Sequence, residues 1–423
     1  MIGHQGDRER QAGPLFEWGI SRLLMLMLVF GLIPMPVVDG NDGEIAIYQG
    51  WLHNFQSWSY PVGDVTWQYP PGMSLAILAP ALLPVVAYKQ AFYLAAFLVD
   101  TAVFAALVRT GRRSGRSMMG AWVWTLGIPL LGSMPYARLD IMVTGICVAA
   151  LLWLPTRAGV GGALAGVGAT MKLWPVLVLL GVGSTDAVRT AWKRALGVAA
   201  ALSLALGAVL PGAWSFLSGQ RDRGLQIESF GALPFHVARH FGWPGQVQLA
   251  YGAMQFTGPY VEITAHALLV MNVLGLAWLV WLRLRLPASF FTGAAPSVLG
   301  LAAVLLCIFT SRVFSPQFMI WAVGLAAVGT SWRTSGIRVP ARLILAACGF
   351  TLVLYPFTYW NLINGTWSAV VTLAVRDALL LAAAVLVLRR LRTAATTAAG
   401  TEPVQAGGLV PRPHAADEAV ATG

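Results

Sequence analysis

The chain has 423 residues, of which 57% are hydrophobic and 11% are charged, and its mean hydropathy is +0.69. Soluble globular domains do not have this balance, so a water-soluble enzyme or binding module is excluded. The net charge of +11 suggests a nucleic-acid partner, but the basic residues lie in short clusters between apolar runs. That pattern is typical of the cytoplasmic loops of a membrane protein, and we expect no nucleic-acid partner.

Apolar runs long enough to cross a bilayer recur along the chain, which predicts an all-α polytopic membrane protein. The first run, 20–38, follows a polar N-terminus that contains Arg8 and Arg10, with Arg22 just inside the run. No small-residue cleavage site follows it, so we interpret it as a retained span with a cytoplasmic N-terminus. The mixed stretch 38–72 is then external.

The next apolar segment, 73–87, is short and lies between prolines. If it crossed the membrane, the arginine cluster at 109–116 would be external, against the positive-inside rule. We therefore expect 73–87 to be an interfacial helix within an external loop at 38–89. The run 158–183 is too long for one short span and is broken at 171–175, which predicts two short helices.

The remaining predicted spans share an apolar core with a Lys/Arg cluster at one end. They are 90–108, 118–134, 139–155, 195–211, 261–282, 293–309, 317–331, 343–357 and 368–388. About 12 transmembrane helices result, with both termini cytoplasmic. They form one transmembrane domain, 1–392, followed by a polar tail at 393–423 that we expect to be disordered.

This topology brings five isolated polar motifs to the external face, where the loops 38–89 and 212–260 would form an active site. The motifs are Asp42-Gly43-Glu44, Arg138 with Asp140, Lys172, the segment 221–229, and Arg312 with Gln317. Ionisable groups at membrane spans are costly to bury, so each motif is a functional candidate. Each also has an ordinary explanation, such as a salt pair, a side chain reaching the interface, or a solvated loop. Their clustering favours function.

Acids and cations together on an external face suit one reaction type well. Arginine and lysine would hold a lipid phosphate, and a carboxylate would take the proton of an attacking hydroxyl. This combination indicates glycosyl transfer from a polyprenyl-phosphate sugar. Four tryptophans could stack on sugar faces, although an interfacial aromatic belt explains such residues equally well; they are Trp51, Trp58, Trp67 and Trp174.

Five short motifs in this order resemble the GT-C superfamily, and glycosyltransferase family 87 in particular, whose members include polyprenyl-phosphate-mannose-dependent α-mannosyltransferases. The motifs are Asp42-Gly43-Glu44 with Ile47-Tyr48, Trp67-Gln68-Tyr69-Pro70-Pro71, Tyr136-Ala137-Arg138-Leu139-Asp140, Met171-Lys172-Leu173-Trp174-Pro175 and Phe314-Ser315-Pro316-Gln317-Phe318. The resemblance implies a GT-C fold and catalysis by the acids of the first external loop, Asp42 and Glu44. The superfamily pair is usually Asp-x-Asp, so Glu44 is a departure, and Asp39 could replace it. No metal and no cofactor are implied.

The resulting hypothesis is an inverting hexosyltransferase in the plasma membrane, with mannose as the expected sugar and a lipid-linked or glycan acceptor. Asp42 would be the general base and Glu44 a secondary acid, while the donor phosphate would be held by Arg138, Lys172 and Arg312. Supporting or substrate-binding roles are predicted for Asp39, Tyr69, Asp140, Gln226, Glu228 and Gln317, with His236 and His240 as weaker candidates.

Several alternatives remain open at this stage. The same fold could transfer arabinofuranose or glucose. A lipid or solute transporter would also carry intramembrane charges, although it would show internal repeats and a midplane site, and we find neither.

Arg376 and Asp377 lie in the middle of a predicted span, where an internal salt pair is expected. We also expected the loop 212–260 to order over a bound donor.

Overall fold

The computed structural model describes residues 2–33, 40–217 and 223–399, and most of these residues are helical. The α-helices are α1 (Ile2–Val29), α2 (Gly40–Gln56), α3 (Met73–Leu78), α4 (Tyr88–Gly111), α5 (Met119–Gly127), α6 (Asp140–Trp153), α7 (Ala158–Met171), α8 (Thr185–Val209), α9 (Leu233–Ala238), α10 (Val261–Leu284), α11 (Ala295–Thr310), α12 (Phe318–Thr330), α13 (Arg338–Leu352), α14 (Tyr359–Ile363) and α15 (Trp367–Ala399). The strands are β1 (Leu225–Gln226), β2 (Gln246–Ala250) and β3 (Ala253–Thr257).

Five helical segments in the described part of the chain are long and apolar enough to cross a membrane. They are Tyr88–Gly111, Thr185–Val209, Val261–Leu284, Arg338–Phe357 and Trp367–Thr397. Shorter apolar helices, among them α6, α7, α11 and α12, pack between them and contribute much of the buried core. The helical membrane character is therefore confirmed, whereas the count of about 12 spans stays a prediction.

The segment 73–87 begins with a short helix, α3, which continues as a 3₁₀ turn at Ala79–Leu82. The turn ends before Pro84, because a proline ring has no amide hydrogen to continue a helix. Several apolar side chains at and beyond the end of this turn are exposed, including Leu82 and Val85. Its position at the membrane interface stays a prediction.

The predicted break at 171–175 is confirmed. Helix α7 ends at Met171, Lys172 is extended, and a 3₁₀ helix at Trp174–Gly181 follows. Pro175 lies in the first turn of that 3₁₀ helix, where its missing N–H does no harm. The second of the two predicted short helices is thus a 3₁₀ helix, and the break leaves Lys172 at an irregular junction.

Helices α7 and α8 pack closely because small residues line their contact. A Cβ added at Gly162 or Gly166 would overlap the backbone of Ala191 or Ala195 on α8. Glycine and alanine let two helix backbones approach closely, and the resulting van der Waals contacts stabilise helix packing in a membrane. This contact fixes the position of α7 and hence of the junction at its C-terminal end.

Residues 223–260 of the loop 212–260 form a folded lobe, and the expected ordering of this loop over a bound donor stays a prediction. Its strands form an antiparallel sheet in the order β1-β3-β2, which the all-α prediction did not include. The lobe packs on α10, α14 and α15 around its own apolar core, whose buried members are Leu225, Ile227, Ala232, Phe235, Phe256, Val261, Leu268, Leu354, Leu362, Ala369 and Leu373. Alternating polar and apolar residues of β2 suit a strand with one solvent-facing side.

Two features at the chain ends differ from the expectations. Helix α1 (Ile2–Val29) includes the polar N-terminal residues and ends before the predicted end of the first span at residue 38. Helix α15 runs to Ala399, so residues 393–399 of the predicted tail are helical. The rest of that tail, 400–423, lies outside the described residues.

Candidate active site

Irregular junctions between helices converge at one end of the bundle and carry most of the predicted site residues. Arg138 and Asp140 flank the start of α6, and Lys172 follows the end of α7. Arg312 lies between α11 and α12, where its carbonyl oxygen accepts a hydrogen bond of 2.9 Å from the amide of Gln226 in β1. Because these residues end regular elements, the fold can aim their side chains into one cleft.

Glu44 lies on α2 at the edge of this cleft. Its Oε1 accepts a hydrogen bond of 2.9 Å from the Tyr48 hydroxyl, one helical turn later. Its Oε2 lies 3.7 Å from Arg138 Nη1, so the two side chains form an ion pair. Arg138 Nη2 also lies 3.3 Å from the Tyr355 hydroxyl. A predicted catalytic acid and a predicted phosphate-binding cation are therefore in contact.

Asp140 and Lys172 form a second, deeper ion pair. Lys172 Nζ lies 2.6 Å from Asp140 Oδ1, which also accepts a 2.7 Å hydrogen bond from the Trp321 indole. Three rings enclose the ammonium group: Nζ lies 5.3 Å from the Tyr69 and Phe318 ring centroids and 5.0 Å from that of Trp321. Cation–π attraction and the carboxylate together hold Lys172 in one position.

Tyr69 lies at the centre of the cleft. Its ring packs against Trp51 and Trp67, with centroids 5.8 Å away in both cases. Burial raises the pKa of its phenol well above the ordinary value, and the negative charges of Glu44 and Asp140 raise it further. The hydroxyl therefore stays protonated and can act as a hydrogen-bond donor to a substrate.

The Tyr69-Pro70-Pro71-Gly72 segment is anchored on the end of α7. The Gly72 amide donates a 2.8 Å hydrogen bond to the carbonyl of Thr170, and a Cβ at Gly72 would overlap the Thr170 side chain. Only glycine fits this contact. The segment and the Lys172 junction are thereby held as one unit.

Gln226 and Ser315 exchange hydrogen bonds: the Gln226 amide nitrogen donates to the Ser315 hydroxyl at 3.2 Å, and that hydroxyl donates to the Gln226 amide oxygen at 3.3 Å. Gln226 is buried, and Gln317 lies two residues after Ser315, immediately before α12. The strand β1 thus places Gln226 beside Arg312 and the α11–α12 junction. These residues form the side of the cleft that faces the lobe.

Glu228 is buried beneath the lobe and is not a solvated loop acid. Arg376 Nη1 lies 3.5 Å from Glu228 Oε1, and Arg376 Nη2 donates a 2.6 Å hydrogen bond to the Glu228 carbonyl. Burial raises the pKa of Glu228 to about 7, although Arg376 opposes the rise. The expected Arg376–Asp377 salt pair is confirmed at 2.8 Å. Glu228 therefore joins the lobe to α15, behind the cleft.

Three residues of the predicted motifs cannot be placed in this geometry. Asp39 lies outside the described residues. The backbone of Asp42 belongs to α2, two positions before Glu44, but its side chain lies outside the described part of the structure. Arg221, in the segment 221–229, is likewise outside the described residues.

The tryptophans considered for sugar stacking have different surroundings. Trp51 and Trp67 are buried against each other, with centroids 5.0 Å apart, and Trp174 stacks on Trp321 at 5.3 Å. These three rings form part of the core and support the cleft from behind. Trp58 is exposed at the end of α2. Neither sugar stacking nor an interfacial belt describes the three buried rings.

Sequence reasoning assigned no individual site role to four residues that the fold brings to the cleft, although two of them, Tyr48 and Arg223, belong to motifs that it selected. The four residues are Tyr48, Arg223, Trp321 and Tyr355. Tyr48 carried a usable signal, because it lies four positions after Glu44 and so on the same helical face. Trp321 and Tyr355 lie within apolar runs, where an aromatic side chain gives no sign of a polar partner.

The described residues contain no group of three or more His, Cys, Asp and Glu side chains able to hold a metal ion. The arrangement is one of paired charges: two carboxylates, each bound to a cation, around a protonated tyrosine. It can bind an anion by exchange of partners, and it can orient a hydroxyl group.

Comparison with known proteins gives one match. The sequence model described as glycosyltransferase family 87 matches residues 67–316, which is more than half of the chain. This range includes Tyr69, Arg138, Asp140, Lys172 and Arg312. No curated protein and no solved structure matches the chain at a significant level.

Proposed function

We propose, because the chain belongs to glycosyltransferase family 87, that it moves a hexose from a polyprenyl-phosphate sugar to a lipid-linked or glycan acceptor at the outer face of the plasma membrane. Family membership makes the chain a glycosyltransferase. The observation that supports the finer proposal is the convergence of the Glu44–Arg138 and Asp140–Lys172 ion pairs around Tyr69. A site with paired charges at the end of membrane helices suits a substrate with an anionic headgroup on an apolar chain.

The proposed reaction is a single displacement at C1 of the sugar. Asp42 takes the proton of the acceptor hydroxyl, and the acceptor oxygen forms a bond to C1. The bond from C1 to the phosphate oxygen breaks at the same time, and its electron pair stays on the phosphate. Attack opposite the leaving group inverts the anomeric configuration. Glu44 orients the acceptor hydroxyl, and Asp39 is the alternative second acid.

The donor phosphate would be held by Arg138, Lys172 and Arg312. Charge-assisted hydrogen bonds to phosphate are short and strong, and they strengthen as negative charge develops on the leaving group. Asp140 would keep Lys172 in position. Tyr69, Gln226 and Gln317 would contact the sugar or the phosphate, while Glu228 would support the lobe side of the cleft.

The experiment that tests this function is transfer of radiolabelled mannose from polyprenyl-phosphate mannose in membranes containing the protein. Label should enter a lipid or glycan fraction with the wild type. It should fall by about 10²- to 10⁴-fold in Asp42→Asn, because a general base contributes that much. Asp64→Asn is the matched control: Asp64 belongs to the same external stretch but binds Trp51 and Thr66 outside the cleft.

Each other outcome has a definite meaning. Equal transfer by wild type and Asp42→Asn would move the base to Glu44 or Asp39. If label is transferred from polyprenyl-phosphate glucose or arabinofuranose but not from polyprenyl-phosphate mannose, the proposed sugar is wrong and the proposed reaction class is retained. Absence of transfer from every polyprenyl-phosphate sugar would contradict the proposed donor and return attention to a transporter.

The proposed orientation has a separate test. Trp58 is exposed in the stretch assigned to the outer face, and Thr334 is exposed in a loop assigned to the cytoplasm. A membrane-impermeant thiol reagent applied to whole cells should label Trp58→Cys and spare Thr334→Cys, and it should label both after lysis. Labelling in the opposite pattern would invert the topology.

A further inference from the structure

Arg223 lies at the base of the folded lobe, immediately before β1, and is not explained by the contacts of the lobe itself. Its Nε is buried and has no hydrogen-bond partner. No carboxylate in the described part of the chain forms an ion pair with it. The Arg223 side chain as a whole is partly buried, and leaving the buried Nε donor of a charged guanidinium without a partner costs free energy. The unpartnered donor of Arg223 therefore needs a functional explanation.

The chain places Arg223 in the cleft by short-range constraints. The next residue, Gly224, donates its amide to the Gln255 side chain at 2.8 Å, and Gln226 bonds to the carbonyl of Arg312 at 2.9 Å. These two bonds fix the backbone on both sides of Leu225. Arg223 is consequently an electrostatic neighbour of both Tyr69 and Arg312.

The charge of Arg223 persists in this position. Burial lowers its pKa to about 10, the nearby Tyr69 opposes the decrease, and the positive charge of Arg312 adds to it. At neutral pH the side chain is still protonated. The cleft thus holds two adjacent arginines on its lobe side, although like charges repel.

The other two cations of the cleft are already matched by acids. Arg138 pairs with Glu44, and Lys172 pairs with Asp140 inside an aromatic enclosure. A phosphate could reach either cation only in competition with its carboxylate. Arg223 is thus a cation near Tyr69 that no carboxylate in the described part of the chain matches.

We propose that Arg223 is a further substrate-binding residue, which joins Arg138, Lys172 and Arg312 in holding the phosphate of the lipid donor, on the side of the site next to Arg312. The guanidinium group donates hydrogen bonds to two phosphate oxygens, and the phosphate supplies the negative counter-charge that Arg223 lacks among the described residues. The sugar then lies toward Tyr69 and Glu44. This inference rests on the proposed function, since it assumes a donor with an anionic phosphodiester headgroup.

A binding role and a structural role predict opposite stability changes. If Arg223 supports the fold, its removal lowers the thermal midpoint. If its role is to bind an anion, Arg223→Gln removes a partly buried charge that has no counter-charge among the described residues, so the thermal midpoint of the purified full-length protein stays equal or rises. Arg239→Gln is the matched control, because Arg239 is in the same lobe and donates a 2.9 Å hydrogen bond to the Ile363 carbonyl. Its loss should lower the midpoint and leave the donor KM unchanged.

The decisive experiment measures two quantities with wild type, Arg223→Gln, Arg223→Lys and Arg239→Gln. One is the donor KM and kcat of mannosyl transfer. The other is binding of short-chain polyprenyl phosphate without sugar, with neutral polyprenol as the comparison. Arg223→Gln should raise the donor KM and weaken phosphate binding by about 10- to 100-fold, as expected for lost hydrogen bonds to a charged group. Binding of polyprenol should not change. Arg223→Lys should recover only part of the phosphate binding, because lysine keeps the positive charge but lacks the two parallel donors of the guanidinium group.

Failures of the inference and of the proposed function are distinguishable. Wild-type transfer with an unchanged donor KM in Arg223→Gln would overturn the inference alone. A lowered thermal midpoint with equal loss of phosphate and polyprenol binding would also overturn it, in favour of a structural role. Arg223-dependent binding of polyprenyl phosphate without transfer of any sugar would overturn the proposed function and support the binding role of Arg223.

Discussion

At the scale of single residues, one carboxylate organises the deepest part of the cleft. Asp140 is fully buried, and its Oδ1 serves both Lys172 and the Trp321 indole. Its Oδ2 has no hydrogen-bond partner among the described residues. The compact ammonium of Lys172 lies 5.0–5.3 Å from the centroids of three aromatic rings, so cation–π attraction adds to the ion pair. The position of Lys172 thus follows from its surroundings as much as from its charge.

We predict that Asp140→Asn lowers mannosyl transfer by about 10- to 100-fold, because Lys172 loses a charge-assisted partner that holds it in place. Initial rates in membranes at equal protein level would measure this. Trp321→Phe serves as the comparison, since it removes only the indole donor and keeps a ring near Lys172, and it should cost less. Full activity in Asp140→Asn would show that the ion pair does not position Lys172.

At the scale of elements, the cleft depends on short segments that dock on helix ends. Tyr69–Gly72 lies on the end of α7, and β1 lies on the α11–α12 junction. Neither segment is stable alone, since a two-residue strand and a proline-rich turn contain few internal hydrogen bonds. Their positions come from the glycine contact at Thr170 and from the apolar core of the lobe.

We predict that Gly72→Ala destabilises the protein by about 1–3 kcal/mol, the usual range for overpacking, and reduces transfer. The added methyl group would overlap the Thr170 side chain and push Tyr69 away from Lys172. Gly50→Ala is the control, because a Cβ at Gly50 meets nothing within 4 Å. Thermal unfolding in detergent and the transfer assay would test both variants. A Gly72→Ala protein equal to Gly50→Ala in both assays would contradict the predicted contact.

His236 gives the lobe a dependence on pH. It is fully buried and hydrogen-bonded to the Ile227 carbonyl at 2.8 Å, and burial lowers its pKa to about 4. In the unfolded chain the ring protonates near pH 6.5, so between pH 6.5 and 4 the unfolded state binds more protons. The folded pKa is depressed, so the stability that depends on neutral His236 is present above pH 6.5 and decreases as pH falls.

We predict that stability falls by about 2 kcal/mol between pH 7 and pH 5 through this one group, given a shift of that size. Thermal midpoints measured across this range should decrease toward acid in the wild type and decrease less in His236→Gln. His240→Gln, an exposed side chain in the same lobe, is the control. Identical pH profiles for wild type and His236→Gln would show that His236 does not carry the dependence.

At the scale of the whole molecule, one buried ion pair joins the N-terminal helix to the bundle. Arg22 was expected to mark the cytoplasmic side of the first span, but it is 1% exposed and pairs with Asp100 of α4 at 2.8 Å. Arg22 also donates to carbonyl groups of α5, while Trp124 and Tyr136 donate to Asp100 at 2.6 and 2.7 Å. Every oxygen of that carboxylate has a partner, so the charge is fully compensated.

We predict that Asp100→Asn destabilises the protein by about 3–5 kcal/mol, because Arg22 is left buried without a counter-charge. The yield of monodisperse protein and its thermal midpoint should both fall. The double variant Arg22→Met/Asp100→Leu removes both charges and should recover part of the loss. A double variant less stable than Asp100→Asn would indicate that the hydrogen bonds, and not the uncompensated charge, dominate.

The sequence by itself determined the features that follow from local rules. Hydropathy identified a helical membrane protein, and the proline-bounded break predicted an irregular junction at Lys172. The order of the motifs identified glycosyltransferase family 87. Glu44, Arg138, Asp140 and Lys172 were also selected from sequence, because rare ionisable residues beside membrane spans are conspicuous.

Only the tertiary structure decided which of these charges meet. Glu228 and Arg376 are 148 positions apart, and Arg22 and Asp100 are 78 apart, so no periodicity relates them. The lobe with its sheet also escaped prediction, since its strands are short and its core is completed by α10, α14 and α15. Pairing of buried charges and completion of a shared core depend on distances between elements, and these distances exist only after the helices have packed.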